Sequence, residues 1–167
     1  MATIVQRMQG AAMLSIPTYE EVEHDHTATG QAAAVVAIVA VAQAIGSIGQ
    51  GGSTILGSLV AQLVGWALWA GITYFVGTRL FHGTADWGEL LRTLGFSQAP
   101  GVLYVLGFVP LLGGLIRFAV GIWVAIAGVI AVRQALDIST GKAVATVLIS
   151  LIPLIVLGGL VRGLIPG

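Results

Sequence analysis

The chain has 167 residues, 57% of them hydrophobic and 8% charged, with 7 basic and 7 acidic side chains. A water-soluble domain carries nearer a quarter charged residues, so the composition excludes an ordinary soluble globule and points to a membrane protein. Zero formal net charge without an Arg/Lys cluster excludes a nucleic-acid binder, and the lack of cysteine excludes disulfides, thiol chemistry and cysteine-ligated metals.

Residues 1–30 read as a cytosolic segment with short amphipathic helices, and residues 31–165 as the membrane domain. Ile4, Val5, Met8, Ala12 and Leu14 line one side of a short helix suited to a membrane surface. Thr18 and Glu21 have capping-box spacing, which predicts a second short helix after Pro17. Glu23, His24, Asp25 and His26 are metal-ligand types in a row. Adjacent ligands need a second folded element to complete a shell, so a solvated acidic patch is the favoured reading and no metal is assigned. Thr27 or Thr29 is placed to cap the first span.

A helix needs roughly 20 apolar residues to cross the hydrocarbon core. Residues 32–48 form the first candidate, rich in small residues and broken at Gly46–Ser53. Glu20, Glu21, Glu23 and Asp25 precede it, unlike the positive end of a signal peptide, so the span is expected to be retained. The second candidate is 55–76, ending near Arg79. Its central Trp66 and Trp69 are expected to face other helices, and His82 to sit at the interface.

The polar stretch that follows has helical order. Asp86 and Glu89 have capping-box spacing, and Trp87, Leu90, Leu91 and Leu94 share one helical face. Glu89 and Arg92 are spaced to pair on the wet side, and Gly95 is expected to end the helix. The favoured reading is a flat interfacial helix anchored by Trp87. The alternative is an extension of the third span, which Pro100 opposes because the residue before proline avoids helical angles.

From Ala99 to Val132 the chain carries one charge in 34 residues, Arg117. One straight helix would reach about 50 Å, too long for one span, while two full spans want roughly 40 residues. A hairpin with one short arm is therefore expected, broken at Pro110–Gly114, with spans 97–112 and 114–132. Arg117 is expected to snorkel to headgroups from the second arm. Asp137 is expected to cap or end a short turn, with a break at Thr140-Gly141. The last span is 143–161, kinked at Pro153, with Ser150 a candidate to satisfy the freed carbonyl. The fold class is thus an all-α integral membrane protein with five transmembrane helices and an interfacial helix before the third.

An N-terminus inside places Arg7, Arg79, Arg92, Arg133 and Lys142 in the cytosol and Arg117 and Arg162 outside. The positive-inside rule favours that orientation, with the C-terminus extracytoplasmic in a cell membrane. Gly114, Gly121 and Gly128 share one face of the fourth span, where small residues allow close contact with a span of this chain or of another copy. The sequence lacks the H-E-x-x-H, G-x-S-x-G and phosphate-loop motifs and has no intramembrane carboxylate pair. No catalytic, cofactor-binding or metal-ligating residue is assigned.

Three stretches carry a family resemblance. They are Pro17–Val22 with Thr27–Ala32, Leu91–Pro100 (LRTLGFSQAP), and Pro110–Gly114 with Ser139–Lys142 (STGK). In this order, across most of the chain from about Ile16, they resemble the Yip1 domain family. The resemblance implies a multi-span protein with a cytosolic N-terminus. Eukaryotic members are linked to vesicle trafficking and to prenylated small GTPases, but no GTPase partnership or catalytic residue is carried over. The function expected is a non-enzymatic membrane organiser, adaptor or accessory subunit of a larger membrane assembly. The alternative is a small channel or carrier for ions or lipids.

Overall fold

The computed structural model describes residues 2–48 and 55–164. The helices are α1 (Ile4–Ala12), α2 (Ile16–His24), α3 (Ala28–Gly46), α4 (Ile55–Phe81), α5 (Trp87–Phe96), α6 (Gly113–Ala135) and α7 (Thr140–Leu164). A 3₁₀ helix, Ala99–Phe108, joins α5 to α6. No strand occurs among the described residues.

Four helices, α3, α4, α6 and α7, are long and apolar enough to cross a membrane. Their outer faces are apolar along their length. Leu56, Val60, Val64, Leu68 and Phe75 are exposed on α4, Leu115, Phe118, Ile122 and Ile126 on α6, and Leu148, Ile152, Ile155 and Leu160 on α7. A helix apolar all round needs lipid or protein on every side, and so large an apolar surface marks a multi-pass membrane protein.

The expected third span, 97–112, is not a membrane-length α-helix. Its helical part is ten residues of 3₁₀ helix. The reason is reach. The segment leaves the Ser97 end of α5 and must meet the start of α6, where an added Cβ on Gly113 would strike the Gly107 carbonyl. Ten residues rise about 15 Å as an α-helix but about 20 Å as a 3₁₀ helix. Hairpin closure at Pro110–Gly114 agrees with the sequence reading, with Leu111 in the left-handed region at φ 65°. Gly113 and Gly114 open α6.

Small residues set the packing. α3 packs against α4, α5 and the 3₁₀ helix, and Val35, Val36 and Val39 are fully buried along it. Gly95 lies inside α5, not at its end; the C-cap is Ser97. A Cβ on Gly95 would fall 2.7 Å from the Ala32 Cβ and 3.2 Å from the Ala32 Cα, so this glycine sets the α3–α5 distance. Gly95→Ala is expected to lower stability by about 2 kcal/mol through overpacking. Thermal melts of the solubilised chain would show it, and Ala32→Gly in the same chain should recover part of the loss.

The helix ends follow local rules. Thr3 and Gln6 cap α1 reciprocally, and Asp86 and Glu89 cap α5 as the sequence predicted. The Thr18–Glu21 box is unused, because α2 starts at Ile16 with Pro17 in its first turn, where a missing N–H costs nothing. Thr27 is the N-cap residue of α3, but its hydroxyl goes to Asp25 Oδ1 at 2.6 Å and makes no cap bond. Asp137 ends α6 as expected. It adopts φ 52°, its N–H donates to Gln134 O, and the Ile138 N–H donates to Arg133 O, a Schellman closure.

Candidate functional site

Among the described residues, three groups of charged and polar side chains are bonded across helices. The first is a cap in which α1 and α2 close over α5 and α6. Arg7, on α1, is 1% exposed. Its guanidinium donates to Glu21 Oε1 at 2.7 Å, to Asp25 Oδ2 at 2.5 Å and to Gln31 Oε1 at 3.0 Å. That ties α1 to both ends of the turn into α3. Thr27 and Arg7 together hold the Asp25 carboxyl down, to about 2. Tyr19 is fully buried and donates to Ala11 O at 3.1 Å; burial pushes its phenol well above the usual range.

Arg92 is the second buried cation of the cap. Its Nε donates to Val22 O and Glu23 O, both at 3.0 Å, and Nη2 also donates to Glu23 O. These are carbonyls of the last turn of α2, where helix geometry leaves acceptors open and the macrodipole favours a cation. The predicted Glu89–Arg92 pair is therefore absent; Glu89 caps Asp86 instead. The faces of α5 differ from the sequence reading on the same ground. Of its expected wet side, Glu89 and Arg92, Arg92 is covered by α2 and the bundle, while Glu89 stays partly exposed. Trp87 remains half exposed, as an anchor would be.

The N-terminal helix packs on the bundle as well, with Val5 left exposed. Arg7 points inward, and Ile4 and Met8 pack on the core. Nothing in the local pattern around Arg7 or Arg92 signals burial, since their partners lie 14 to 24 and 69 to 70 residues away.

Glu23, His24, Asp25 and His26 diverge. Glu23 is 7% exposed, and burial pushes its carboxyl up to about 7. His24 Nδ1 lies 2.8 Å from Glu20 O, Asp25 serves Arg7 and Thr27, and His26 is exposed. Among the described residues no group of three or more His, Asp or Glu could hold a metal ion. The cap is instead a set of structural bonds, extended by Thr84 to Asp137 at 3.0 Å and Gln134 to Glu20 at 3.2 Å.

The second place is mid-bundle. Trp69 Nε1 donates to Ser150 Oγ at 3.0 Å, Thr73 Oγ1 donates to the same oxygen at 3.2 Å, and Ser150 Oγ donates to Val147 O. Ser150 thus joins α4 to α7, rather than serving the carbonyl freed by Pro153. Trp66, whose Nε1 donates to Leu91 O, and Trp69 face other helices as expected. Ser150→Ala leaves the buried Thr73 hydroxyl and the partly buried Trp69 N–H without this acceptor. A loss of about 1 kcal/mol is expected, and Ser150→Ala with Trp69→Phe should be less than additive in thermal melts.

The third place is the opposite end. Arg117 Nη2 donates to Gly46 O at 2.5 Å and Gly107 O at 3.4 Å, stitching the ends of α3 and the 3₁₀ helix to the first turn of α6. Two helix ends offer it carbonyls within reach. In the stripe of small residues, a Cβ on Gly128 would lie 3.3 Å from Trp69 and one on Gly121 3.6 Å from the Tyr104 hydroxyl, whereas Gly114 faces open space. Two of the three glycines therefore serve packing within this chain. The predicted break after Gly46 lies for the most part at residues 49–54, outside the described residues, and the Arg162 side chain is likewise not described.

Comparison with curated proteins and with solved structures gives no match. The family comparison does: the Yip1 domain matches residues 11–162, from the end of α1 through nearly all of α7. With that match over most of its length, the chain belongs to the Yip1 domain family.

Proposed function

We propose that this chain, a non-enzymatic membrane protein of adaptor or accessory type, serves as a subunit of a larger membrane assembly and presents the α1–α2–α5 cap to the cytosol. The observation that carries the reading is the bonding of the cap. Arg7 and Arg92, the side chains best able to act on a ligand there, are buried and committed to α2 and its flanks. That supports a rigid docking platform rather than a reactive site. In this reading the 3₁₀ segment is a short fifth crossing, residues 1–30 form the cytosolic segment and 31–165 the membrane domain. A second copy, if one joins, would meet α6 at Gly114, the open glycine of the stripe.

The test is co-purification after mild solubilisation with in-membrane crosslinking. A specific stoichiometric partner is expected, and a chain that is alone under every gentle condition would count against a subunit role. Ion or lipid flux through liposomes holding the purified chain would favour the channel or carrier reading. Orientation has its own measurement, since the chain has no cysteine background. Single cysteines at Glu20 and Asp137, both exposed, are expected to react only from the cytosolic side, and one at the fully exposed Leu111 only from the other.

A further inference from the structure

At the Arg117 end of the bundle a cavity of about 440 Å³ is lined by Gln43, Ala44, Ser47, Ser58, Tyr104 and Arg117. Four segments supply these residues: the last turns of α3, the first turn of α4, the 3₁₀ helix and the first turns of α6. Among the described residues the lining holds a guanidinium, a phenol, a carboxamide and two hydroxyls, and no carboxylate. All seven acidic residues of the chain lie elsewhere, at Glu20, Glu21, Glu23, Asp25, Asp86, Glu89 and Asp137. Those seven belong to α2 and its C-cap, the start of α5 and the end of α6. The charge separation runs along the bundle, with carboxylates at the cap and a cation at the far end.

The guanidinium is held in place. Its Nη2 bonds to Gly46 O and Gly107 O fix its plane, and Gly107 is the residue that allows it so close: a Cβ there would lie 2.7 Å from Arg117 Nε. A planar guanidinium fixed by backbone, beside hydroxyl and amide donors, suits the tetrahedral oxygens of a phosphate group. The cavity has room for more than a bare ion. The nearby chain exposes Phe108, Leu111, Leu112 and Leu115, an apolar rim at the level where the long helices end.

We propose that this cavity binds a phosphate-bearing anion, with Arg117 as the charged contact and Gln43 and Tyr104 as orienting donors. Two sources share that chemistry, an anionic lipid headgroup and a free phosphate ion. The experiment is native mass spectrometry of the full chain in detergent, titrated with phosphatidylglycerol, with phosphatidylcholine, or with inorganic phosphate as competitor.

Retention of one phosphatidylglycerol in preference to phosphatidylcholine is expected. Displacement by millimolar phosphate would identify the free ion as a sufficient ligand, and retention despite it would identify the headgroup; either supports the site. Arg117→Gln also removes the bonds to Gly46 and Gly107, so the deciding variant is Gln43→Leu with Tyr104→Phe. It spares those bonds and is expected to bind about tenfold more weakly. Equal retention of the two lipids, retention of neither phosphatidylglycerol nor phosphate, or equal affinity in the double variant would overturn the proposal.

Discussion

Replacing Arg92 with methionine is expected to loosen α2 on the bundle and to lower stability by about 3 kcal/mol. Arg92 is 2% exposed and gives its charge to two carbonyls, Val22 O and Glu23 O. A hydrogen bond from a charged donor contributes about 1.5–3 kcal/mol, and a cation at a helix C-terminus up to ~2 kcal/mol when partly buried. These terms overlap, so the figure is well under their sum. Methionine keeps much of the aliphatic volume, which separates the lost bonds from a cavity. Arg92→Lys should recover about half, since an ammonium is a point charge without the guanidinium's fixed fork. The local readout is a single cysteine in place of Val22, a fully buried position in a chain with no other cysteine. It should label slowly where Arg92 is kept and quickly in the Arg92→Met chain, while α4 and α7 stay folded. Slow labelling in both would show that the cap is held without Arg92, by Arg7 and apolar contacts.

Arg7 complements this lock from the other side. It reaches Glu21, Asp25 and Gln31, which flank the α2–α3 turn, while Arg92 holds the last turn of α2 from below. Two cations on separate elements thus converge on one short helix. Removing either leaves the other, so the paired variant should be more damaging than the sum of the singles. A platform built this way can present exposed Glu20 and His24 at fixed positions to a partner.

Length arithmetic and periodicity made much of the fold legible. Four apolar stretches became four long helices, the capping box at Asp86–Glu89 formed as spaced, and the hairpin closed at Pro110–Gly114. The same arithmetic exposed the shortage in 97–112 but not its solution, because 3₁₀ geometry there depends on where α3 and α6 end. The faces of α5 were misread for a related reason. Arg92 looked wet because charge usually means water, and only a helix about seventy residues upstream in sequence supplies the carbonyls that let it be buried. The cavity at Arg117 was illegible in the same way. Its donors come from four segments, and none stands in a motif.

The stability of the solubilised chain is expected to peak between about pH 4 and 5, and Glu23 governs the descent on the alkaline side. Its carboxyl is pushed up to about 7, chiefly by burial, with Glu89, Asp137 and Glu20 adding to the rise and His24 opposing it. The unfolded chain releases this proton near 4.5. Between those values the native state holds more protons than the unfolded one, so stability falls as pH rises and levels off above about 8. At ~1.4 kcal/mol for each pH unit, discounted because solvent at the edge of the cap screens the charge, the loss is about 2 kcal/mol. Asp25 works in the opposite direction. The Thr27 hydroxyl and Arg7 hold its carboxyl at about 2, so its contribution is present above 3.8 and is lost as pH falls. His24, raised by the Glu20 carbonyl and Glu23, adds to the alkaline descent through its own titration. Glu23→Gln removes the largest of these terms. It should leave the melt at about pH 5 nearly unchanged and raise it at about pH 8, whereas His24→Gln should preserve most of the slope. If the Glu23→Gln chain keeps the full alkaline descent, the buried carboxyl is not its source, and the loss must come from the exposed groups around it.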